Sequence, residues 1–212
     1  MTASEQQAAH SHLLRSDPQM ATLARVQGPI DPYRRPHRVP LHDGDLLAGL
    51  VFHVVGQSIS EQSALAVFTR LRELLGGTIA SEPLAAASPQ SLRAAGLSTA
   101  KARTLSQLAH SLESGELRLT SLTAQTDGEV TERLTELPGI GPWTAAIFLL
   151  YELRRPDAFP ASEIGLRKAL AALDGLDSPP SADAAIARAE GWRPYRSYAA
   201  GHLWRSLPAH RG

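Results

Sequence analysis

The run Leu137-Pro-Gly-Ile-Gly-Pro-Trp-Thr-Ala-Ala146 holds the residue types and spacing best suited to chemistry in this chain. Two glycines flank one apolar residue between two helical segments. Glycine reaches positive φ without a Cβ clash, so Gly139 and Gly141 let the chain reverse tightly. Pro142 suits the first turn of the following helix, where a missing N–H costs little. The N–H groups of Gly139 and Gly141, with those near Trp143 and Thr144, converge at the positive end of that helix, which is a site for a phosphate. Such a grip reads no base, so it positions a nucleic acid without specifying its sequence.

Other reactive groups are sparse. The chain has no cysteine, which excludes disulfides, a thiol nucleophile, thiolate zinc sites and a cysteine-bound iron–sulfur cluster. Its eight histidines show no metal spacing such as His-Glu-x-x-His. Only 5% of residues are aromatic, which excludes an extended stacking platform for single strands.

The elements that must position the hairpin are helical. Ser88-Pro89 starts a helix that Gly96 stops. Ser98 caps the next, whose residues Leu105, Leu108, Ala109 and Leu112 share a face. Asp127 precedes a helix carrying Val130, Leu134 and Leu137, and Ser181 caps one that Gly191 ends. Residues 46–75 read as one long helix or two abutting ones, interrupted by Gly56 and the polar set Gln57-Ser58-Ile59-Ser60-Glu61-Gln62. Gly28–Pro40 reads as an irregular connector, and residues 1–16 as partly disordered. No segment sustains a period of two with β-branched enrichment, so the predicted class is all-α.

A length of 212 residues with 43% hydrophobic content suffices for one large domain or two small lobes. Lysine and arginine number 21, as do aspartate and glutamate, so any nucleic-acid contact must be a local patch. The start Met-Thr-Ala-Ser-Glu-Gln-Gln lacks the pattern of a secretory signal, and the longest apolar run, Ala145–Leu150, is too short to cross a bilayer. The expectation is a cytoplasmic protein without membrane contact.

Four stretches in order carry a family resemblance. The Leu137–Ala146 string resembles the helix–hairpin–helix of the DNA glycosylase superfamily. Val54-Val55-Gly-Gln-Ser-Ile-Ser60 resembles that family's loop into the DNA minor groove. Gly96-Leu-Ser-Thr-Ala-Lys-Ala-Arg103 resembles its second phosphate-binding turn. Gly191-Trp-Arg-Pro-Tyr-Arg-Ser-Tyr-Ala199 resembles the C-terminal element of the 3-methyladenine DNA glycosylase II, or alkylbase, branch.

The resemblance implies a two-lobed helical fold with the active-site cleft between the lobes. Residues 46–156 form the lobe with the hairpin, while residues 1–45 pack with the C-terminal lobe, 157–212, which includes the catalytic loop. It implies a monofunctional glycosylase that hydrolyses the N-glycosidic bond of alkylated bases in duplex DNA. The family's catalytic aspartate aligns with Glu163, one methylene longer, which shifts the charge by roughly 1.5 Å. Read without the family, Glu163 is a first-turn acid behind a Ser162 cap. Asp157 is the nearest alternative acid. Trp143 stands where lyases of the family carry a lysine, so no Schiff base can form there, and Lys168 lies on the helix after the loop, solvated.

The same alignment implies DNA contacts at Gly139, Ile140, Gly141, Trp143, Thr144, Ser98, Lys101, Arg103 and Arg196. For a base pocket it implies Trp143, Tyr195 and Trp192, whose aromatic faces would favour cationic methylated purines, with ordinary core as the other reading of each and the preferred one for Trp192. Ile147 stands where some relatives place a pocket aromatic, which implies a roomier site. The family's gap-filling wedge aligns with Ser58, too small for the task, so Gln57, Ile59 or another loop stands as the candidate. The backbone carbonyls of Thr135, Leu137 and Ile140 match a structural Na+ or K+ site, and no other cofactor is required. The implied partner is double-stranded DNA carrying a damaged base, met by a monomer without an iron–sulfur cluster. Two alternatives stay open: a DNA-binding damage sensor that has lost catalysis, and a glycosylase for another lesion.

Overall fold

The computed structural model describes residues 3–34 and 45–207, and every regular element among them is helical. The order is α1 (Ala3–Ser16), α2 (Pro18–Gln27), α3 (Leu46–Gly56), α4 (Glu61–Leu74), α5 (Ser81–Ala86), α6 (Pro89–Ala94), α7 (Thr99–Glu113), a 3-10 turn (Leu119–Ala124), α8 (Asp127–Thr135), α9 (Pro142–Tyr151), α10 (Ile164–Asp174), α11 (Ala182–Ala189), a second 3-10 turn (Glu190–Trp192) and α12 (Arg196–Ser206). The chain divides into two compact units, His37–Leu153 and the pair Met1–Pro36 with Arg154–Gly212.

Single polar residues set many helix starts by accepting orphan first-turn N–H groups. Ser88, Ser98 and Ser181 cap α6, α7 and α11 as the sequence predicts. At α8 the cap is Thr126, in a reciprocal capping box with Glu129, and Asp127 is the first helical residue. The stretch 46–75 resolves into two helices, α3 and α4, because Ser60 starts the second with its own cap.

In the His37–Leu153 unit, α3 is buried along its whole run from Ala48 to Val55, and it packs against α4, α7 and α9. A helix that is apolar all round belongs at the centre of a unit. His53 is the polar exception within it, and its Nε2 lies 2.7 Å from the buried Glu152 carboxylate. Helix α9 is buried over Thr144–Ala145 and Ile147–Leu150, which fixes the hairpin before it to the same core.

In the other unit, the expected disorder of residues 1–16 gives way to α1. Ala9 and Leu13, four residues apart, are fully buried in a core with Met20, Ile30, Leu166, Trp192, Tyr198 and Leu203. The polar N-terminal composition hid this two-residue stripe. Residues 28–34 are irregular as expected, with Ile30 and Tyr33 buried. The remainder of the connector expected to Pro40 lies outside the described residues.

His202 on α12 gives this unit an acid sensitivity. It is buried, with Nδ1 2.9 Å from Gln27 Oε1, while the Gln27 amide donates to the His202 carbonyl. Burial, with lesser contributions from His10 and Arg205, lowers its pKa from 6.5 to about 4. The folded value lies below the unfolded one, so this contribution is fully present above 6.5 and is lost as pH falls towards 4. A loss of at most about 3 kcal/mol is expected across that window. Urea unfolding at pH 7.5 and pH 4.5 should show the drop, and His202→Gln should flatten it; a pH dependence unchanged by His202→Gln would remove His202 as its source.

Candidate functional site

The hairpin is built as a bare helix start. Helix α8 ends at Thr135, and the Leu137 carbonyl accepts the Ile140 N–H at 3.0 Å across the turn. Gly139 takes φ +90°, where a side chain is strained, and a Cβ there would lie 1.9 Å from Thr104 Oγ1. Thr104, buried on α7, donates to the Pro138 carbonyl at 3.0 Å and so holds the turn from below. Gly141 differs from the expectation that both glycines serve the reversal. Its φ is −103°, open to any residue, and nothing lies within 4 Å of where its Cβ would be.

Gly141 is instead the N-cap of α9, with Pro142 at the first position and no side-chain cap. The first-turn N–H groups of Trp143 and Thr144 are therefore left for an outside acceptor, and the helix field favours an anion there. Ile140 and the Thr144 side chain are buried, so their share in any DNA contact is their backbone. Ile147 is buried in α9, and Trp143 is half-buried at its start.

The loop after α3 lies beside this hairpin. The Gln57 amide donates to the Gly139 carbonyl at 3.0 Å and to Thr144 Oγ1 at 2.9 Å. Ser58 has φ +57°, which turns the chain sharply, and the next residue, Ile59, is 42% exposed. Lys101 departs from its expected role as a phosphate contact. Its ammonium donates to the carbonyls of Val55 and Gln57, each at 2.7 Å, because these end-of-helix oxygens lack intrahelical partners. Ser98 caps α7 at the surface, its hydroxyl accepting the Lys101 N–H, and Arg103 is exposed on the same helix.

The carboxylate site belongs to the other unit. Glu163 is itself the N-cap of α10, in place of the expected Ser162, which is exposed. Its Oε1 accepts from Gly165 N at 2.8 Å, and its Oε2 accepts from Leu166 N at 2.5 Å and from Trp204 Nε1 at 3.0 Å. An acceptor-only group thus meets three N–H donors and the positive end of a helix. The extra methylene of glutamate is what lets one side chain cap α10 and also reach the indole. Trp204 was invisible to sequence reasoning, since 41 residues separate it from Glu163 and no local pattern links them.

Three further expectations change here. Trp192 is fully buried, its indole donating to Asp17 at 3.0 Å with the Arg188 guanidinium 4.8 Å from its ring, so it is core and offers no face to a base. Arg196 is engaged by Asp157 through Nε and Nη2 and by Glu190 through Nη1, which neutralises it as a phosphate contact. The same ion pairs, with Arg193, occupy Asp157 as the alternative acid. Tyr195, half-buried, packs its ring 5.4 Å from His12 and 5.8 Å from Tyr198.

A family model described as HhH-GPD superfamily base excision DNA repair protein matches residues 51–194. The chain belongs to that superfamily. The match takes in the Gln57 loop, the hairpin and Glu163. Among HhH-GPD relatives, DNA-3-methyladenine glycosylase 1 of Schizosaccharomyces pombe is 26% identical over 201 residues, which cover 93% of this chain and 86% of that protein. The solved structure of the S. pombe 3-methyladenine DNA glycosylase in complex with abasic DNA superposes with a TM-score of 0.83 at 26% identity, over 93% of this chain and 95% of that one. The protein YfjP of Bacillus subtilis is 36% identical over 126 residues, 59% of this chain. This chain spans 44% of the length of YfjP and 14% of the bifunctional activator and repair enzyme AlkA of Mycobacterium tuberculosis. No described helix is long and apolar enough to cross a membrane.

Proposed function

We propose that this HhH-GPD chain is a monofunctional DNA glycosylase that hydrolyses the N-glycosidic bond of alkylated bases, of the 3-methyladenine and 7-methylguanine type, in duplex DNA. The observation that carries the reading is the Glu163 carboxylate, fixed by three N–H donors at the head of α10. A base inside a duplex is out of reach, so the nucleotide must be flipped out and its place filled. The hairpin grips the backbone through the N–H groups at the start of α9. Within the loop after α3, Gln57 is tied to the hairpin and Ser58 is small, so the exposed Ile59 is the residue of this loop that suits the stack.

The chemistry follows from charge. A purine methylated at N3 or N7 is cationic, and it leaves as a neutral base when the bond electrons pass to it. Positive charge then develops on the sugar, and the fixed negative charge of Glu163 is aimed at that charge. Water adds to the sugar cation and gives up a proton to solvent, leaving an abasic sugar and a free base. Tyr195 supplies an electron-rich ring for the cationic base. With Trp143 in place of the lysine that lyases carry at this position, no Schiff base forms there to open the sugar, and the strand stays intact. The carbonyls of Thr135, Leu137 and Ile140, at the negative end of α8, would hold a monovalent cation that firms the turn. Neutral backbone oxygens suit such a hard ion, and the Leu137 oxygen keeps a lone pair beyond the one taken by the Ile140 N–H.

The test is incubation with duplex DNA treated with a methylating agent, followed by chromatography of released bases. Release of 3-methyladenine or 7-methylguanine, with no strand break before alkali, is expected. Intact binding to an abasic duplex without any base release at high protein concentration would leave a damage-binding protein in place of an enzyme.

A further inference from the structure

Three segments of the His37–Leu153 unit are joined in a closed ring of hydrogen bonds. Lys101, in the first turn of α7, donates to the Val55 and Gln57 carbonyls of the loop after α3. Thr104, three residues on along the same face of α7, donates to the Pro138 carbonyl of the hairpin. Gln57 closes the ring from the loop to the hairpin, through the Gly139 carbonyl and Thr144 Oγ1. We propose that Lys101 and Gln57 are positioning residues that lock the Ile59 loop to the phosphate-gripping hairpin, so that the two engage DNA as one rigid unit.

This inference deepens the glycosylase reading and rests on it. A wedge must resist being pushed out of the stack, and a loop with an exposed isoleucine behind a left-handed Ser58 has little stiffness of its own. The ring supplies it. Both carbonyls that Lys101 takes belong to the last residues of α3 and the residue capping it, where the helix leaves its oxygens unpaired. The side chain is partly buried, and burial holds its ammonium below the ordinary lysine value. A surface phosphate contact would instead point its charge to solvent. Gln57 makes both of its bonds through its amide nitrogen, one to the Gly139 carbonyl in the turn and one to Thr144 in the first turn of α9. A phosphate seated on that turn therefore also fixes the loop, and the loop's seating fixes the turn.

The experiment measures binding of the full chain to two duplexes, one intact and one carrying a tetrahydrofuran abasic analogue, across a salt series. Emission of 2-aminopurine beside the analogue reports stack insertion. Lys101→Met is expected to lower the preference for the abasic duplex by roughly fivefold, as losing about 1 kcal/mol of buried hydrogen bonding would, and to blunt the 2-aminopurine signal. The slope of log affinity against log salt should stay as in the wild type. A retained preference with a slope reduced by about one is the signature of a lost phosphate contact, and it overturns the proposal. Gln57→Met removes no charge and should give the same loss of preference. The double variant should lose little more than either single one, because both break one ring; additive losses overturn the coupling. Lys101→Arg, which keeps N–H donors, should recover part of the signal. A wild-type chain without preference for the abasic duplex overturns the glycosylase reading itself, and the inference with it.

Discussion

Glu163→Gln is expected to lower single-turnover release of methylated bases on the order of a hundredfold or more while leaving binding to an abasic duplex nearly unchanged. The expectation follows from what the change removes. The glutamine keeps one oxygen to accept from the α10 N–H groups, but it carries no negative charge towards the sugar. Removing a preorganised electrostatic partner of a transition state costs about 10²–10³ in rate. The new NH₂ group also faces donors, Leu166 N or Trp204 Nε1, where an acceptor stood. That mismatch and the weakened cap cost about 1–2 kcal/mol of stability. At about 2–4 °C of Tm per kcal/mol in a chain of this size, the protein stays folded at assay temperature. A thermal melt run beside the kinetics separates the two effects, and an unchanged rate would remove Glu163 from the chemistry. Glu163→Asp retains the charge and the cap but draws the carboxylate back from Trp204. Its rate should lie between those of the wild type and the glutamine variant, because misplacing a charge by about one bond length can cost on the order of a hundredfold.

Gly139→Ala is expected to destabilise the hairpin and weaken binding to any duplex by more than tenfold, measured by thermal melts and by anisotropy at fixed salt. Two separate costs meet at this residue. A φ of +90° is strained for any side chain, at about 1–2 kcal/mol. The new Cβ would also stand 1.9 Å from Thr104 Oγ1, so Thr104 must rotate away and release the Pro138 carbonyl. With a buried hydrogen bond worth about 1 kcal/mol, the sum is about 2–3 kcal/mol, a Tm fall on the order of 4–12 °C. The turn that aims the α9 N–H groups then no longer has one conformation. In a Thr104→Ala background most of the steric part should go, leaving a Cβ contact of 3.1 Å and the φ strain. Gly141→Ala is the contrast, because its backbone is ordinary and its surroundings open, so the fold should lose under about 1 kcal/mol. A Gly139→Ala protein as stable as the wild type, with full affinity, would show that the turn tolerates other shapes.

Helix starts and the hairpin were legible because their causes are local. A serine caps the residues next to it, and a proline sets its own φ, so α6, α7 and α11 could be placed from single residues. The start of α10 slipped by one position, and that slip changed the meaning of Glu163 from a residue in the helix field to the cap itself. The helix begins at Ile164, so Glu163 is the residue whose carboxylate meets the N–H groups of Gly165 and Leu166. Helix α1 was missed because its support is the burial of Ala9 and Leu13 in a core assembled from distant segments. Lys101 and Arg196 were expected as a phosphate grip, and Trp192 was offered to the pocket beside its reading as core. Their partners lie 44, 39 and 175 residues away in the chain, beyond any local pattern.

The sequence by itself determined the helical class and the glycine-proline turn that frees the start of α9, while the roles expected of Trp143 and of the loop bearing Glu163 came from the family resemblance. The first two are properties of a few consecutive residues: their φ preference, their missing N–H, their chemical type. Only the tertiary structure decided which polar groups are spent inside the protein and which remain for DNA. It turned Lys101 onto carbonyls, paired Arg196 with Asp157, sank Trp192 beside Asp17 and brought the Trp204 indole to Glu163. Buried donors and acceptors must find partners, and the chain supplies them from far along its length.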